Sequence, residues 1–111
     1  MKKLFTSLGI SNKSSEIYLF VLQNGESSVV QIAKATGLNR TAVYPYISEL
    51  EQLKLIKWSE REQGKAIQAN NLKAIEQLIT QNEKKITQLR NEFENSLPNL
   101  TAMYKVVDDQ Y

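Results

Sequence analysis

The chain has 111 residues, 41% of them apolar and 23% charged, the proportions of one globular domain. It has no cysteine and no histidine, and its only two aspartates are Asp108 and Asp109, which excludes disulfides, thiolate chemistry, Cys/His zinc sites and histidine-based triads and points to a non-enzyme that calls for no cofactor or metal. The net charge is +2: residues 1–70 carry nine Lys/Arg against six Glu, and residues 71–111 carry five against six Asp/Glu, a lighter basic excess than strong nucleic-acid binders often show.

Leu4, Phe5 and Leu8 stand at helical spacing in the first segment, and Gly9 stops it. Ser11 is placed to cap a second helix over about 12–24. Its middle, Ile17-Tyr18-Leu19-Phe20-Val21-Leu22, is apolar on every side and by propensity alone suits a buried strand. The cap at Ser11 and the stop at Gly25 delimit a dozen residues, which favours helix. Ser28-Val29-Val30-Gln31 has the spacing of a capping box, opening a short helix over about 29–36 that Gly37 ends. Val30, Ile32 and Ala33 are available for its packing, and Leu38 is expected to point inward. Asn39 caps a third main helix from about Arg40 to Leu53, with Val43, Ile47 and Leu50 on one stripe.

The period then changes. Leu55–Ser59 and Lys65–Ala69 alternate loosely around the polar turn Glu60-Arg61-Glu62-Gln63-Gly64, a β-hairpin signal. Asn70 or Asn71 can cap a final helix over about 71–97. Along it Leu72, Ile75, Ile79, Asn82, Ile86, Leu89 and Phe93 occupy successive a and d positions of three heptads. Pro98 is expected to stop or kink this helix. Leu100, Met103 and Tyr104 suggest one more apolar turn, and the last seven residues read as frayed.

A tight turn between two helices, with the small Ala33 four residues before Gly37, is a helix-turn-helix pattern. A hairpin directly after it makes the expected fold a winged helix-turn-helix: mainly α with a small β-hairpin, plus a long C-terminal dimerisation helix. The expected division is a DNA-binding domain over 1–70, a coiled-coil helix over 71–97, and a C-terminal turn and tail over 98–111. Leu8-Gly9-Ile10-Ser11, Ile17-Tyr18-Leu19, Ile32-Ala33-Lys34-Ala35-Thr36-Gly37-Leu38 and Arg40-Thr41-Ala42-Val43-Tyr44 resemble the N-terminal domain of the TrmB-type transcriptional regulators. The resemblance covers about residues 4–97. It implies a dimeric winged-helix domain that binds DNA and controls transcription, with the third helix in the major groove and the wing on the backbone. The sequence departs from that pattern in three places. Lys54 stands where winged helices usually have Gly, so the helix is open to ending differently there. Pro45 lies inside the recognition helix, where a kink is expected rather than a break. Longer family members carry a C-terminal sugar-sensing domain; this sequence ends at Tyr111, and sugar sensing is not expected to carry over.

The candidate DNA contacts follow from position. Asn39, Arg40, Thr41 and Tyr44 lie at the exposed start of the recognition helix, about 40–53, whose amides suit phosphate. Arg40 suits guanine O6 and N7 or a phosphate. Ser27, Ser28 and Gln31 sit where the preceding helix meets the backbone, and Arg61, Gln63 and Lys65 lie on the wing, about 55–69. Plainer readings stand beside these. Arg40 is equally a solvated surface arginine, Tyr44 neighbours the core positions Val43 and Ile47, and Arg61 and Lys65 are interspersed with Glu60 and Glu62. Ser28 is a cap first. Trp58 reads as a packed strand residue rather than a ligand platform.

The heptad helix either packs on its own domain or self-associates. The helices before it supply a closed core, and a strict a/d seam is narrower than a core-facing stripe, so self-association is expected. Asn82 on the seam costs stability and fixes register. The sequence thus reads as a homodimeric, sequence-specific DNA-binding regulator of a pseudo-palindromic duplex site, with a protein-interaction module of the same fold as the rival. No apolar run approaches the roughly 18–20 residues of a bilayer span, and no secretory pattern opens the chain, so a cytoplasmic location is expected. The sequence identifies no small-molecule effector.

Overall fold

The computed structural model describes residues 1–105. Five helices and one hairpin follow in order: α1 (Lys2–Ser7), α2 (Asn12–Asn24), α3 (Val29–Thr36), α4 (Arg40–Gln52), β1 (Ile56–Arg61), β2 (Gly64–Ala69) and α5 (Lys73–Met103). The reading of residues 106–111 as frayed lies outside the described residues. Residues 1–79 form one compact unit and residues 80–111 a second.

Side-chain caps fix the starts of α2, α3 and α4. The Ser14 N–H donates to Ser11 Oγ at 3.3 Å, and the Ala42 N–H donates to Asn39 Oδ1 at 2.9 Å. The capping box at α3 is complete: the Gln31 N–H donates to Ser28 Oγ at 3.2 Å, and the Ser28 N–H donates to Gln31 Oε1 at 2.8 Å. Each cap satisfies an amide that the first helical turn leaves without a partner. Gly37 takes φ +72°, ψ +11° after α3, a left-handed conformation that lets the chain reverse into α4 without a Cβ penalty.

The core of the first unit gathers one stripe from each helix. Phe5, Ile17, Tyr18, Val21, Ile32, Val43, Ile47, Leu50, Leu55 and Ile67 are fully or almost fully buried. Phe5 meets Tyr18 edge-on, with centroids 5.6 Å apart. The Ile17–Leu22 run is helical, so it lends Ile17, Tyr18 and Val21 to the core and leaves Leu19 and Phe20 packed at its margin. The Tyr18 hydroxyl is buried without a hydrogen-bond partner, and burial pushes its pKa above 10.0.

The helix α4 ends as a winged helix does, with lysine in the glycine position. Lys54 has φ +63° and is the one non-glycine residue with positive φ among the described residues. The Lys54 N–H donates to the Glu51 carbonyl at 2.9 Å, and the Leu55 N–H to the Leu50 carbonyl at 3.0 Å. This is a Schellman closure, reinforced by Leu50 and Leu55 both lying in the core. Asn70 then holds it from outside: its Nδ2 donates to the Lys54 carbonyl at 2.8 Å and the Ile56 carbonyl at 3.3 Å, while its N–H donates to the Leu55 carbonyl at 2.9 Å. Pro45 does not interrupt α4. Its side of the helix is exposed, so water can take the Thr41 carbonyl that proline leaves unpaired, while Val43 and Ile47 hold the helix from the core side.

The strands pair antiparallel from Ile56↔Ala69 to Arg61↔Gly64, leaving only Glu62 and Gln63 in the loop. The turn is thus tighter than the five residues expected. The positive φ falls on Gly64, at +112°, and on neither loop residue, as in a type I turn followed by a glycine bulge. A third segment joins this sheet. The Ser27 N–H donates to the Ile67 carbonyl at 3.0 Å, and the Ile67 N–H to the Ser27 carbonyl at 2.7 Å, placing Ser27 on the outer edge of β2.

Two expectations for the last helix are corrected. First, the core is not closed before it: Ala74 and Leu78 are buried, and Ile75 packs against the same cluster. The first two turns of α5 therefore complete the domain that precedes them. Second, Pro98 does not stop the helix, which runs to Met103. The residues around Pro98 are exposed, so the Glu94 carbonyl that loses its amide partner is free to bind water. At its start, Asn71 supplies the side-chain acceptor, taking the Lys73 N–H at 2.8 Å, whereas Asn70 is committed to Lys54.

Replacing Lys54 by glycine relieves a left-handed residue but adds freedom to the unfolded chain. We expect Lys54→Gly to stabilise the protein by about 0.5–1 kcal/mol. Urea unfolding followed by circular dichroism checks this; an unchanged or lower midpoint contradicts the assigned strain.

Candidate nucleic-acid interface

The start of α3, the start of α4 and the hairpin enclose a groove of about 760 Å³. Five of the ten expected contact residues line it: Ser28, Arg40, Tyr44, Gln63 and Lys65. Arg40 and Tyr44 are one helical turn apart, so they share a face of α4. Lys65 stands opposite Glu60 across the hairpin, and both side chains lie on the groove side. The lip therefore carries an acidic group beside its lysine.

Three more residues sit near the groove in capping roles. Asn39 accepts from both the Ala42 N–H and, at 2.8 Å, the Thr41 hydroxyl. Gln31 closes the capping box. All three are exposed, so their remaining polar capacity faces solvent.

Two of the expected contact residues lie apart from the groove lining. Ser27 is only 2% exposed. Its backbone is paired with Ile67, and its hydroxyl donates to the Gly25 carbonyl at 2.8 Å, so it is a structural residue under the wing. Arg61 is turned away from the groove. It falls on the alternate face of β1 from Trp58 and Glu60, and its Nε lies 3.4 Å from Glu26 Oε1. Both partners are about one-third exposed, so the pair is worth little in stability. It nonetheless takes a cation out of the groove.

Tyr44 is on the surface rather than in the core: it is 39% exposed. Its ring stacks on Trp58, with centroids 6.4 Å apart and planes inclined by 24°. Trp58 is half-buried and packed against the core, as a strand residue should be. It also forms part of the groove wall. Sequence reasoning missed this second role because the strand period says which face Trp58 occupies, not which helix that face meets. Val30, expected to pack, is 46% exposed and opens onto the same groove.

A concave surface framed by a recognition helix and a wing, with arginine and lysine at its edges, suits a duplex rather than a small catalytic substrate. Residues 4–108 match the family model described as "Sugar-specific transcriptional regulator TrmB". The chain belongs to the TrmB family. Its fold, a winged helix-turn-helix followed by a long helix, is shared with solved regulators. One is the transcriptional regulator Tm0710 from Thermotoga maritima, at TM-score 0.59 and 16% identity over 92% of this chain and 77% of that one. Another is MepR, a transcription regulator of the Staphylococcus aureus multidrug efflux pump MepA, at TM-score 0.57 and 25% identity over 92% and 82%. A third is the S. aureus MepR–DNA complex, at TM-score 0.59 and 19% identity over 93% and 88%. No curated protein matches the chain. Among the described residues of this TrmB-family chain, no helix is long and apolar enough to cross a membrane.

The two kinds of serine at the start of α3 separate experimentally. Ser27→Ala is expected to cost roughly 1 kcal/mol of stability through its lost hydrogen bond, with DNA affinity unchanged once the folded fraction is accounted for. Thermal melts and binding titrations on the same preparation test this. A specific loss of affinity in the fully folded variant returns Ser27 to the interface.

Proposed function

We propose that the chain is a homodimeric, sequence-specific DNA-binding transcriptional regulator. The recognition helix α4 enters the major groove, and the wing lies on the backbone. The observation that carries this reading is the convergence of Arg40, Tyr44, Gln63 and Lys65, from two elements distant in sequence, on one groove. Arg40 supplies the forked donor suited to guanine O6 and N7 or to a phosphate. Lys65, Gln63 and the solvent-facing caps at Ser28 and Asn39 suit phosphate oxygens.

Dimerisation is supported by the second unit. Ile86, Leu89 and Phe93 are 60%, 57% and 55% exposed and recur at spacings of three and four along α5. Leu100 and Met103 continue the same a/d register and are also exposed. An apolar stripe of this length in water is costly unless it is covered, and a second copy of the same helix covers it by symmetry. Of the seven seam positions, Ile75 already packs against its own core, while Leu72 lies just before the helix. The intermolecular seam in this reading therefore begins at Ile79, with Asn82 in its first heptad setting register. Two recognition helices held together would address half-sites about 34 Å apart, in a pseudo-palindromic operator.

Glu60 beside Lys65 favours one alternative, a protein-docking surface on the same fold. Salt separates the two: phosphate contacts make affinity fall steeply with ionic strength, and protein docking need not.

Selection from a random duplex library at about 0.15 M salt, with the mass measured by light scattering in the same buffer, tests the reading. A two-fold symmetric motif enriched by a dimer is the expected result, and enrichment of nothing by a well-folded protein counts against it. On the selected duplex, Arg40→Ala is expected to lose about 1–3 kcal/mol of binding free energy. Ile86→Asp or Leu89→Asp is expected to scatter as a monomer; a persistent dimer removes the α5 seam.

A further inference from the structure

Three apolar groups meet on the groove, and none of them is fully buried. Val30 is nearly half exposed, Tyr44 offers one ring face to the groove, and Trp58 backs the other. Scattered exposed apolar residues are ordinary on any surface. Here they are gathered on one groove, which the cations Arg40 and Lys65 also line. Charge complementarity gives this groove a duplex as its occupant, on the reading proposed above. Phosphate and sugar gain nothing from a valine and a stacked aromatic pair. The one apolar group that a base pair presents in the major groove is the C5-methyl of thymine.

We propose that Tyr44, held by Trp58 and flanked by Val30, reads a thymine methyl at a fixed position of each half-site. Tyr44 lies one turn beyond Arg40 on the same face of α4, so the base it reads neighbours the one that Arg40 contacts. The stack against Trp58 restricts the ring, which lowers the ordering cost of the contact. Trp58 is a positioning residue: it acts on the base through Tyr44. The tyrosine hydroxyl is not required for this readout.

The test uses the selected operator with each thymine replaced in turn, in both half-sites, by deoxyuridine, which removes only the methyl. Affinities are measured at low ionic strength so that weakened variants still bind. For the natural protein, one position per half-site is expected to lose about three- to tenfold per methyl, the effect of one buried methyl group. In Tyr44→Phe that sensitivity is expected to persist, and in Tyr44→Ala to fall within twofold. Val30→Ser, which leaves the stack intact, is expected to reduce it. Thermal melts confirm that each variant is folded. An operator bound with no methyl-sensitive position overturns the proposal while leaving the regulator reading standing. Full sensitivity in Tyr44→Ala overturns it too, as does its loss in Tyr44→Phe. A folded protein that binds no duplex overturns both.

Discussion

Two backbone hydrogen bonds between Ser27 and Ile67 decide where the wing stands. A lone two-stranded hairpin is marginal in water. Ser27 gives β2 a partner on its second edge and ties the hairpin to the residue just before α3. At the base of the hairpin, Asn70 clasps the carbonyls of Lys54, Leu55 and Ile56, fixing the exit from α4. Between these anchors the Tyr44–Trp58 stack joins the wing face to the recognition helix. These three ties connect the two walls of the groove.

The elements of the first unit were largely legible, because each is written in local chemistry. Ser11, Ser28 and Asn39 cap where their spacing says they should, and Gly37 takes the left-handed turn. The Leu55–Ala69 alternation does form a hairpin. What sequence could not convey was pairing at a distance. Ser27 reads as a polar residue before a helix, and only its bond to Ile67, forty residues away, makes it structural. Arg61 reads as a wing cation until Glu26 is seen beside it. Trp58 and Tyr44 are fourteen residues apart and belong to different periods, so neither pattern announces their stack. Pro45 was expected not to break its helix and does not, whereas Pro98 misled through a rule that is right about the lost hydrogen bond. Both lie where water can replace it, and so neither breaks its helix.

The long helix was misread in a different way. A heptad pattern is satisfied equally by a partner chain and by the chain's own core, and α5 has positions for each. Ala74 and Leu78, off the a/d register, are the buried ones, and they bring Ile75 with them. Ile79 onward carries the exposed stripe. One helix is thus anchored in the first unit by its opening turns and leaves its later heptads exposed among the described residues. If a second copy covers those heptads, Asn82 sits at the boundary between the two tasks. A polar group there penalises a slipped register more than the correct one, because only the correct pairing gives its amide a partner.

Charge then sets the limits on what the interface must do. With Arg61 beside Glu26 and off the groove lining, and Lys65 facing Glu60, the groove retains Arg40 as its one cation without an acidic neighbour among its lining residues. Counter-ion release scales with the number of phosphates neutralised, so on the proposed reading this surface would draw modest affinity from the backbone of any duplex. Weak nonspecific binding is an advantage for a regulator, provided that specific contacts and a second half-site supply the rest. A dimer multiplies the contribution of each half without adding charge. Apolar readout does the same for discrimination, because its free energy survives in salt that screens phosphate contacts. On the proposed reading, the exposed Val30 and Tyr44 and the exposed stripe on α5 would be two answers to one constraint: a nearly neutral domain has to obtain from apolar surface what a basic one obtains from charge.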